Sequence, residues 1–318
     1  MYESEWADHP MLRVKGRRLL ARDLIGLELE RTDGARLPDW TAGAHIDLIL
    51  GDGVTRQYSL TGDPRNPYSF HVGVLREPEG RGGSKYVHDH IKVGDEIGFG
   101  GPRNNFGLVP SQRYKFIAGG VGITPLIAML TQATLLGADW QLLYLGRERP
   151  TMAYLRDLEA YGDRVTIHPS TQGRADLPRW LGPYRADTKI YVCGPDRLLN
   201  AVEAVTTDWR AGWVRMERFT ARELDAPART QPFVVELARS NVEVTVGADE
   251  TVASAIRSAG VPILTSCGAG LCGTCETTVL AGEPDHRDSI LDENERAGGR
   301  CMFPCVSRAR SDRLVLEL

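Results

Sequence analysis

The segment CGAGLCGTC near the end of the chain concentrates side chains that can bind metal. Cys267, Cys272 and Cys275 follow a C-x4-C-x2-C spacing, and 29 residues separate Cys275 from Cys305. Thiolates at this spacing, completed by a distant fourth cysteine, are typical of a plant-type [2Fe–2S] cluster. Structural zinc sites favour two separate short C-x2–4-C pairs, whereas the two short intervals here share Cys272. Disulfides, the third alternative, are rare in a reducing compartment. The spacing therefore favours an iron–sulfur site.

The surrounding residues fit a loop that wraps closely around inorganic sulfide. Gly268, Gly270 and Gly273 tolerate unusual backbone dihedrals, and their amides can donate to sulfur. Either Cys301 or Cys305 could supply the fourth thiolate. We predict Cys305, because a strand-like ending, LVLEL, follows it after a loop. We expect Cys301 instead to act as a small, buried, apolar side chain.

Composition restricts the class of protein. The 318 residues are 42% hydrophobic and 25% charged, which is ordinary for a globular chain of two or three domains. The start, MYESEWADHP, lacks the basic region and the apolar region of a signal peptide. No apolar run reaches the roughly 18–20 residues that a membrane helix needs. A formal net charge of −4 disfavours a nucleic-acid partner. We expect a cytoplasmic protein with neither a membrane nor a nucleic acid as its partner.

Two segments within the first 110 residues suit a phosphate and a flat ring. In a strand, Arg56 and Tyr58 of RQYSL project to one face, where a guanidinium could hold a phosphate beside a stacked ring. Ser59 could hydrogen-bond a ring nitrogen. GRGGS, residues 80–84, leads into a helix and presents free amides to a phosphate. An ordinary edge strand and a flexible hairpin tip are the alternatives.

Two later segments suit a nucleotide. GGVGITP, residues 119–125, follows a strand and opens a helix, although Pro125 replaces the last glycine of the dinucleotide pattern. We expect Thr124 to cap that helix. YVCGPD, residues 191–196, ends another strand, where open α/β sheets bind ligands. Cys193 within it is either a small side chain beside a bound ring or a buried structural thiol.

Hydrophobic periodicity predicts a multidomain protein. Residues 1–110 alternate short apolar runs with turn signals, which indicates an antiparallel β-barrel. Residues 111–222 alternate strands with helices, which indicates a parallel α/β sheet. Residues 223–232 contain two prolines and no apolar period, as in a linker. Residues 233–318 contain a hairpin, a helix and the cysteine segment, and we predict an α+β domain.

The three parts together form a series of electron carriers. A nicotinamide delivers two electrons as a hydride, whereas a [2Fe–2S] cluster accepts one electron at a time. A flavin can do both. We therefore expect electrons to pass from NAD(P)H through a flavin and the cluster to an external acceptor.

The segments RQYSL, GRGGS, GGVGITP, YVCGPD, ERF and CGAGLCGTC…CVSR, in this order, resemble those of the phthalate dioxygenase reductase and vanillate demethylase reductase family over essentially the whole chain. GGVGITP alone marks the wider ferredoxin–NADP reductase superfamily. The resemblance implies FMN as the flavin, NADH as the donor, and a β-grasp ferredoxin domain after the flavin and nucleotide domains.

The resemblance also assigns individual residues to each cofactor. It implies FMN contacts from Arg56, Tyr58, Ser59, Val74, Arg76, Gly82, Gly83, Ser84 and Thr124. It implies nicotinamide nucleotide contacts from Gly120, Gly122, Cys193, Gly194 and Pro195. Ser59, Thr124, Cys193 and Phe219 would be the catalytic residues beside the reacting rings. Cys267, Cys272, Cys275 and Cys305 match the cluster ligands, whereas Cys301 and Pro304 depart locally from the pattern.

The choice of donor depends on the segment LGRERP. Arg147 stands where the 2′-phosphate of NADPH could be met, and Glu148 where the 2′-hydroxyl of NADH could be. Arg147 could also contact the pyrophosphate or adenine side, or be a solvated surface residue. From the resemblance we predict a preference for NADH.

No spacing typical of an oxygen-activating metal stands out among the seven histidines. The expected acceptor is therefore a separate Rieske-type oxygenase, an aromatic-ring dioxygenase or a demethylase. A haem or di-iron monooxygenase is the alternative acceptor, and a non-catalytic ferredoxin-like or zinc-binding module is the alternative function. Residues 229–318 hold 13 acidic and 9 basic side chains, which would suit docking on a basic partner or simple solvation. We expect a monomer.

Overall fold

The computed structural model describes residues 10–51, 54–222 and 226–318, which fall into two compact units that divide between Glu217 and Arg218. Three short stretches lie outside the described residues. They are residues 1–9, which make up most of the start considered for a signal peptide, residues 52–53, and residues 223–225 of the predicted linker. The finer predicted domain boundaries stay predictions. Within the described ranges, no helix combines the length and apolar character needed to cross a membrane.

The first unit begins with a six-stranded antiparallel sheet in the order β4-β3-β6-β1-β2-β5. Its elements are β1 (Met11–Ala21), β2 (Leu24–Arg31), β3 (His45–Ile49), β4 (Thr55–Ser59), β5 (Phe70–Leu75), α1 (Gly83–His90) and β6 (Glu96–Arg103). Leu27 and Leu29 lie opposite Val72 and Phe70, and all four are buried. The period-two alternation of these strands therefore places one face in the core.

A five-stranded parallel sheet follows, in the order β11-β10-β7-β8-β9. Its elements are β7 (Arg113–Gly119), α2 (Thr124–Leu135), β8 (Asp139–Gly146), α3 (Leu155–Glu159), β9 (Val165–Pro169), α4 (Leu177–Leu181), β10 (Thr188–Cys193), α5 (Asp196–Val205) and β11 (Val214–Glu217). Tyr191 and Cys193 join the apolar cluster that contains α2 residues, whereas Ile190 and Val192 join the one that contains α5 residues. The strand is thus covered on both faces, as its continuous apolar run predicts.

The second unit contains a mixed five-stranded sheet in the order β13-β12-β18-β14-β16, with β12 and β18 parallel, and a separate β15-β17 pair. Its elements are β12 (Phe233–Leu237), β13 (Val242–Val246), α6 (Val252–Ser258), β14 (Thr277–Ala281), β15 (Pro284–Asp285), α7 (Glu293–Gly298), β16 (Cys301–Met302), β17 (Arg308–Ala309) and β18 (Arg313–Leu316). Thr251 caps α6 by accepting the Ser254 amide at 3.1 Å. The cysteine loop lies between α6 and β14.

Candidate cofactor sites

Hydrogen bonds connect the four predicted ligand cysteines in series. The Cys272 thiol forms a hydrogen bond with the Cys267 sulfur, and this hydrogen bond, followed by burial, raises the pKa of Cys272. A hydrogen bond from Cys305 lowers the pKa of Cys275, and Cys305 also contacts Cys267. Within the described ranges, no three His, Cys, Asp or Glu side chains are placed to share one metal ion. A [2Fe–2S] cluster takes four thiolates over two irons, and four sulfurs joined by these contacts fit that group.

Backbone geometry shapes the cysteine loop around these sulfurs. Gly268, Gly270 and Gly273 have φ values of 62°, 66° and 77°, which side-chain-bearing residues rarely adopt. The amides of Ala269 and Leu271 point to the Cys267 sulfur at 3.3 and 3.4 Å. The glycines thus allow a turn that aims amides at a ligand sulfur.

Gly270 also packs too closely for a side chain. A Cβ there would lie 2.7 Å from Val306 Cγ2 and 2.9 Å from Asp288 Cα. The Ser289 amide donates to the Gly270 carbonyl at 2.9 Å, and Asp288 is 1% exposed. Residues 288–289 therefore pack against the cysteine loop, a contact that the cysteine spacing did not predict.

The two candidates for the fourth thiolate lie in different environments. Cys305 is 9% exposed and packs with Cys275 and Phe303. Cys301 lies in β16 opposite Thr278, and burial, followed by the nearby Glu276 carboxylate, raises its pKa to about 11. This placement supports the choice of Cys305.

The RQYSL strand and the GRGGS turn meet at Arg56. A Cβ on Gly83 would lie 2.7 Å from both Arg56 Cγ and Nε, so the arginine stem lies directly over that glycine. The guanidinium donates to the Arg81 carbonyl at 2.8 Å. Gly82 precedes α1 with a φ of 85° and open space where a side chain would be. A guanidinium, an open turn and a helix start together suit a phosphate.

The other predicted flavin-side residues surround this turn. The Ser84 hydroxyl accepts the Glu77 amide at 3.0 Å, and Gly82 is the helix cap. Ser84 is therefore a helical residue that braces the turn. Arg76 forms a two-point ion pair with Asp89 at 2.5 and 3.0 Å. Val74 is buried, and its carbonyl lies 2.9 Å from a ring nitrogen of His88.

Tyr58 and Ser59 continue the same strand. Burial raises the pKa of Tyr58 to about 12, against a small opposing effect of Arg56. The phenol is therefore neutral and suits stacking against a ring. Ser59 is 6% exposed and lies opposite His45 on β3.

Thr124 lies where the antiparallel and parallel sheets meet. A short 3₁₀ turn, Gly120–Ile123, precedes α2, so Ile123 holds the cap position and the prediction that Thr124 caps the helix was wrong. The Thr124 hydroxyl donates to the Val121 carbonyl at 2.9 Å. A Cβ on Gly73 of β5 would lie 3.0 Å from Thr124 Cγ2 and from the Tyr154 hydroxyl. Tyr154, with a left-handed φ of 59°, is a neighbour that the sequence did not indicate.

The two predicted nucleotide segments touch each other. A Cβ on Gly122 would lie 2.2 Å from the Cys193 carbonyl oxygen and 2.7 Å from the Gly194 amide nitrogen. Gly120 has a φ of 56° and faces open space. Pro195 holds the cap position of α5. Only glycine permits this approach of two strand ends, which forms a backbone-lined cradle suited to a nucleotide.

Glu217 is a functional candidate that the sequence analysis missed. Cys193 and Glu217 are partners in the β10–β11 register, and their side chains lie 3.9 Å apart. Burial raises the pKa of Glu217 to about 8, and burial raises the pKa of the Cys193 thiol well above its usual value. Both groups are therefore neutral near pH 7. An acid at the end of a predicted parallel strand, in ERF, was the signal that could have identified it.

Arg147 and Phe219 are the two remaining predicted site residues. Arg147 is exposed just after β8, and its carbonyl accepts the Ser170 hydroxyl at 3.0 Å. Phe219 belongs to the second unit and is 42% exposed.

The chain is similar to known proteins, both in its C-terminal part and over nearly its whole length. Residues 235–310 match the 2Fe-2S iron-sulfur cluster binding domain. The chain is 41% identical over 310 residues to phenoxybenzoate dioxygenase subunit beta of Ectopseudomonas oleovorans, covering 96% of this chain and 97% of that protein.

Two solved structures resemble the chain over nearly its whole length. Phthalate dioxygenase reductase, described as a modular structure for electron transfer from pyridine nucleotides to [2Fe-2S], matches with a TM-score of 0.70 and 33% identity, covering 98% of both chains. An intact type IV self-sufficient cytochrome P450 monooxygenase matches with a TM-score of 0.92 and 42% identity. That match covers 98% of this chain but 41% of the monooxygenase.

Proposed function

Because the chain belongs to the phthalate dioxygenase reductase family, we propose that it is the reductase component of a two-component oxygenase. It passes electrons from NADH through FMN and a [2Fe–2S] cluster to a separate oxygenase. The mutual contacts of the four thiols of Cys267, Cys272, Cys275 and Cys305 carry this proposal. The two glycine-lined turns of the first unit supply the flavin and nucleotide sites.

The finer fold follows from the same proposal. Residues 1–110 form a closed flavin-binding barrel; the Leu60–Val72 bridge between the ends of the sheet's edge strands supports this closure. Residues 111–222 form the nucleotide domain and residues 223–232 the linker. Residues 233–318 form a β-grasp ferredoxin domain, which is supported by the mixed sheet with α6.

The first unit holds FMN by its phosphate and its ring. Arg56 and the amides of Gly82, Gly83 and Ser84 bind the phosphate, since they gather at one helix start. Tyr58 and Ser59 contact the ring, with Val74, Arg76 and Thr124 bordering the same site. FMN, when bound, accepts a hydride and releases electrons singly. The protein residues fix the orientation of the ring and exclude water from one side.

The nucleotide cradle orients the nicotinamide. Gly120, Gly122, Gly194 and Pro195 frame the nucleotide, while Cys193 and Glu217 border its ring. Because both side chains are neutral near pH 7, they add no full charge beside a ring whose charge changes in the reaction. The family resemblance gives Phe219 a catalytic role. Arg147 contacts the adenosine side.

The acceptor is most simply a Rieske-type oxygenase, in accord with the dioxygenase names of the relatives. A haem monooxygenase is the second candidate, and one observation favours it: the P450 that matches here carries a similar reductase within its own chain. Both acceptors take single electrons. We place the protein in the cytoplasm as a monomer, with the acidic excess of residues 229–318 facing its partner.

The proposal is tested by spectra and coupled turnover. Purified protein should show flavin bands and broad iron–sulfur absorption that NADH bleaches. It should then support substrate oxidation by a Rieske-type oxygenase from the same organism, and a haem oxygenase serves as the comparison acceptor. A colourless zinc protein would contradict the proposal, while turnover with the haem enzyme alone would replace the acceptor.

A further inference from the structure

The edge of the parallel sheet beside β8 and β9 carries the groups that choose between the two nicotinamide donors. We infer that this chain accepts NADPH as well as NADH, because among the described residues the turns after β8 and β9 present two arginines without partners and no free carboxylate. The inference rests on the proposed NADH-dependent reductase function and adds a second donor to it. It goes beyond the preference for NADH predicted from the resemblance.

The Glu148 carboxylate, which would favour NADH, already forms an ion pair within the protein. In dinucleotide sites, an acid after the second strand hydrogen-bonds the ribose 2′-hydroxyl and repels a 2′-phosphate. Glu148 holds that position after β8, but its carboxylate lies 2.7 Å from the Arg22 guanidinium. The Arg22 amide also donates to the Pro150 carbonyl at 2.8 Å. The β1–β2 turn therefore holds Glu148 and neutralises its charge.

The neighbouring strand end offers no replacement acid. Residues 165–175, which include β9 and the turn after it, contain no Asp or Glu. Asp176 is the first acid after them, and it caps α4 by accepting the Arg179 amide at 3.0 Å. The Ser170 hydroxyl donates to the Arg147 carbonyl at 3.0 Å, which joins the turns after β8 and β9.

Two guanidinium groups remain available on these joined turns. Arg147 and Arg174 are exposed, and in the described part of the chain neither side chain has a hydrogen-bond or ion-pair partner. A guanidinium binds a phosphate through a two-point, charge-assisted contact. NADH lacks the 2′-phosphate and gains nothing comparable from a second arginine. The edge therefore suits the phosphorylated nucleotide without excluding the other.

Donor kinetics of the full-length holoprotein test this inference. With ferricyanide as acceptor, we expect kcat/KM for NADPH to lie within about tenfold of that for NADH. Arg147→Ala and Arg174→Ala should each lower the NADPH:NADH ratio of kcat/KM about tenfold, as expected for one lost charge-assisted contact. Arg156→Ala, an exposed arginine on α3, is the matched control and should leave the ratio unchanged.

The ion pair provides a separate test away from the phosphate. Arg22→Ala frees the Glu148 carboxylate and should lower the NADPH:NADH ratio, and adding Glu148→Gln should restore it. Calorimetry gives a readout that does not depend on turnover: 2′,5′-ADP should bind more tightly than 5′-ADP, and Arg174→Ala should reduce this difference in affinity about tenfold.

A wild-type NADPH efficiency more than about a hundredfold below that of NADH would overturn the inference, since it would correspond to roughly 3 kcal/mol of discrimination. NADPH:NADH ratios of kcat/KM unchanged in Arg22→Ala, Arg147→Ala and Arg174→Ala would overturn it as well. In either case NADH-driven reduction would leave the proposed reductase function standing. Failure with both donors would instead overturn that function.

Discussion

The Cys193 thiol and the Glu217 carboxylate lie 3.9 Å apart, at the carboxyl ends of two paired parallel strands. They stand 24 positions apart in the sequence, so local spacing does not indicate this contact. Strand register brings them together beside the nucleotide cradle. Burial keeps both groups neutral, with the pKa of Glu217 raised to about 8.

This pairing predicts a pH dependence of stability. The unfolded carboxyl ionises near its ordinary pKa of 4.5, whereas the folded one stays protonated up to about 8. The folded state thus binds more protons in that range, and the stabilisation is lost as pH rises through 8. Glu217→Gln should flatten the fall of stability between pH 5 and pH 9. The effect should be on the order of 2 kcal/mol, since one pKa unit is about 1.4 kcal/mol and solvent reduces it at a half-buried site.

Denaturant unfolding of the full-length protein at both pH values measures this difference. Glu159→Gln, at an exposed position on α3, is the control and should follow the wild type. Parallel pH profiles for Glu217→Gln and wild type would show that the Glu217 carboxyl ionises normally.

Cys272→Ser should remove the cluster and leave the flavin. Loss of one thiolate breaks the Cys267–Cys272 pair, while the Arg56 and Gly83 contacts lie in the other unit. NADH reduction of ferricyanide should persist, and reduction of the partner oxygenase should fall to background. Iron analysis and visible circular dichroism measure the cluster. Cys301→Ser is the matched control and should keep its iron; loss of iron there instead would make Cys301 the fourth ligand.

Arg56→Ala should weaken FMN retention about tenfold to a hundredfold, because a charge-assisted contact is worth roughly 1.5–3 kcal/mol. Fluorescence titration of the flavin-depleted protein with FMN gives the dissociation constant. Arg13→Ala, which breaks an exposed ion pair with Glu96, should leave it unchanged. An unaltered FMN affinity in Arg56→Ala would remove Arg56 from the phosphate site.

Gly270→Ala should destabilise the cysteine loop more than Gly268→Ala. Both residues have left-handed φ values, so each substitution costs on the order of 1–2 kcal/mol of backbone strain. At Gly270 the new Cβ would also collide with Val306 and Asp288, whereas at Gly268 it meets open space. Iron content and the rate of cluster loss on heating measure the difference. Equal behaviour of the two variants would show that residues 288 and 306 yield to the added methyl.

Local patterns predicted the two sheets of the first unit, because hydrophobic alternation is encoded in adjacent residues: the short apolar runs of residues 1–110 form the antiparallel sheet, and the alternating strands and helices that follow form the parallel sheet. Cysteine spacing is equally local, and the ligand set that it indicates stays a prediction. The prediction that Thr124 caps α2 was wrong because a 3₁₀ turn precedes the helix and the Thr124 hydroxyl donates to the Val121 carbonyl. The Cys193–Glu217 and Arg22–Glu148 pairs depend on strand register and on contact between sheets, which no local spacing encodes.

Anaerobic reductive titration of the holoprotein, followed by visible absorption and electron paramagnetic resonance, tests the electron path most directly. Titration with NADH should bleach the flavin and produce the rhombic signal of a reduced [2Fe–2S] cluster, and that signal should be missing in Cys272→Ser although its flavin still bleaches. If NADH reduces the flavin while the wild-type cluster stays oxidised, that result contradicts the proposed path from NADH through FMN to the cluster.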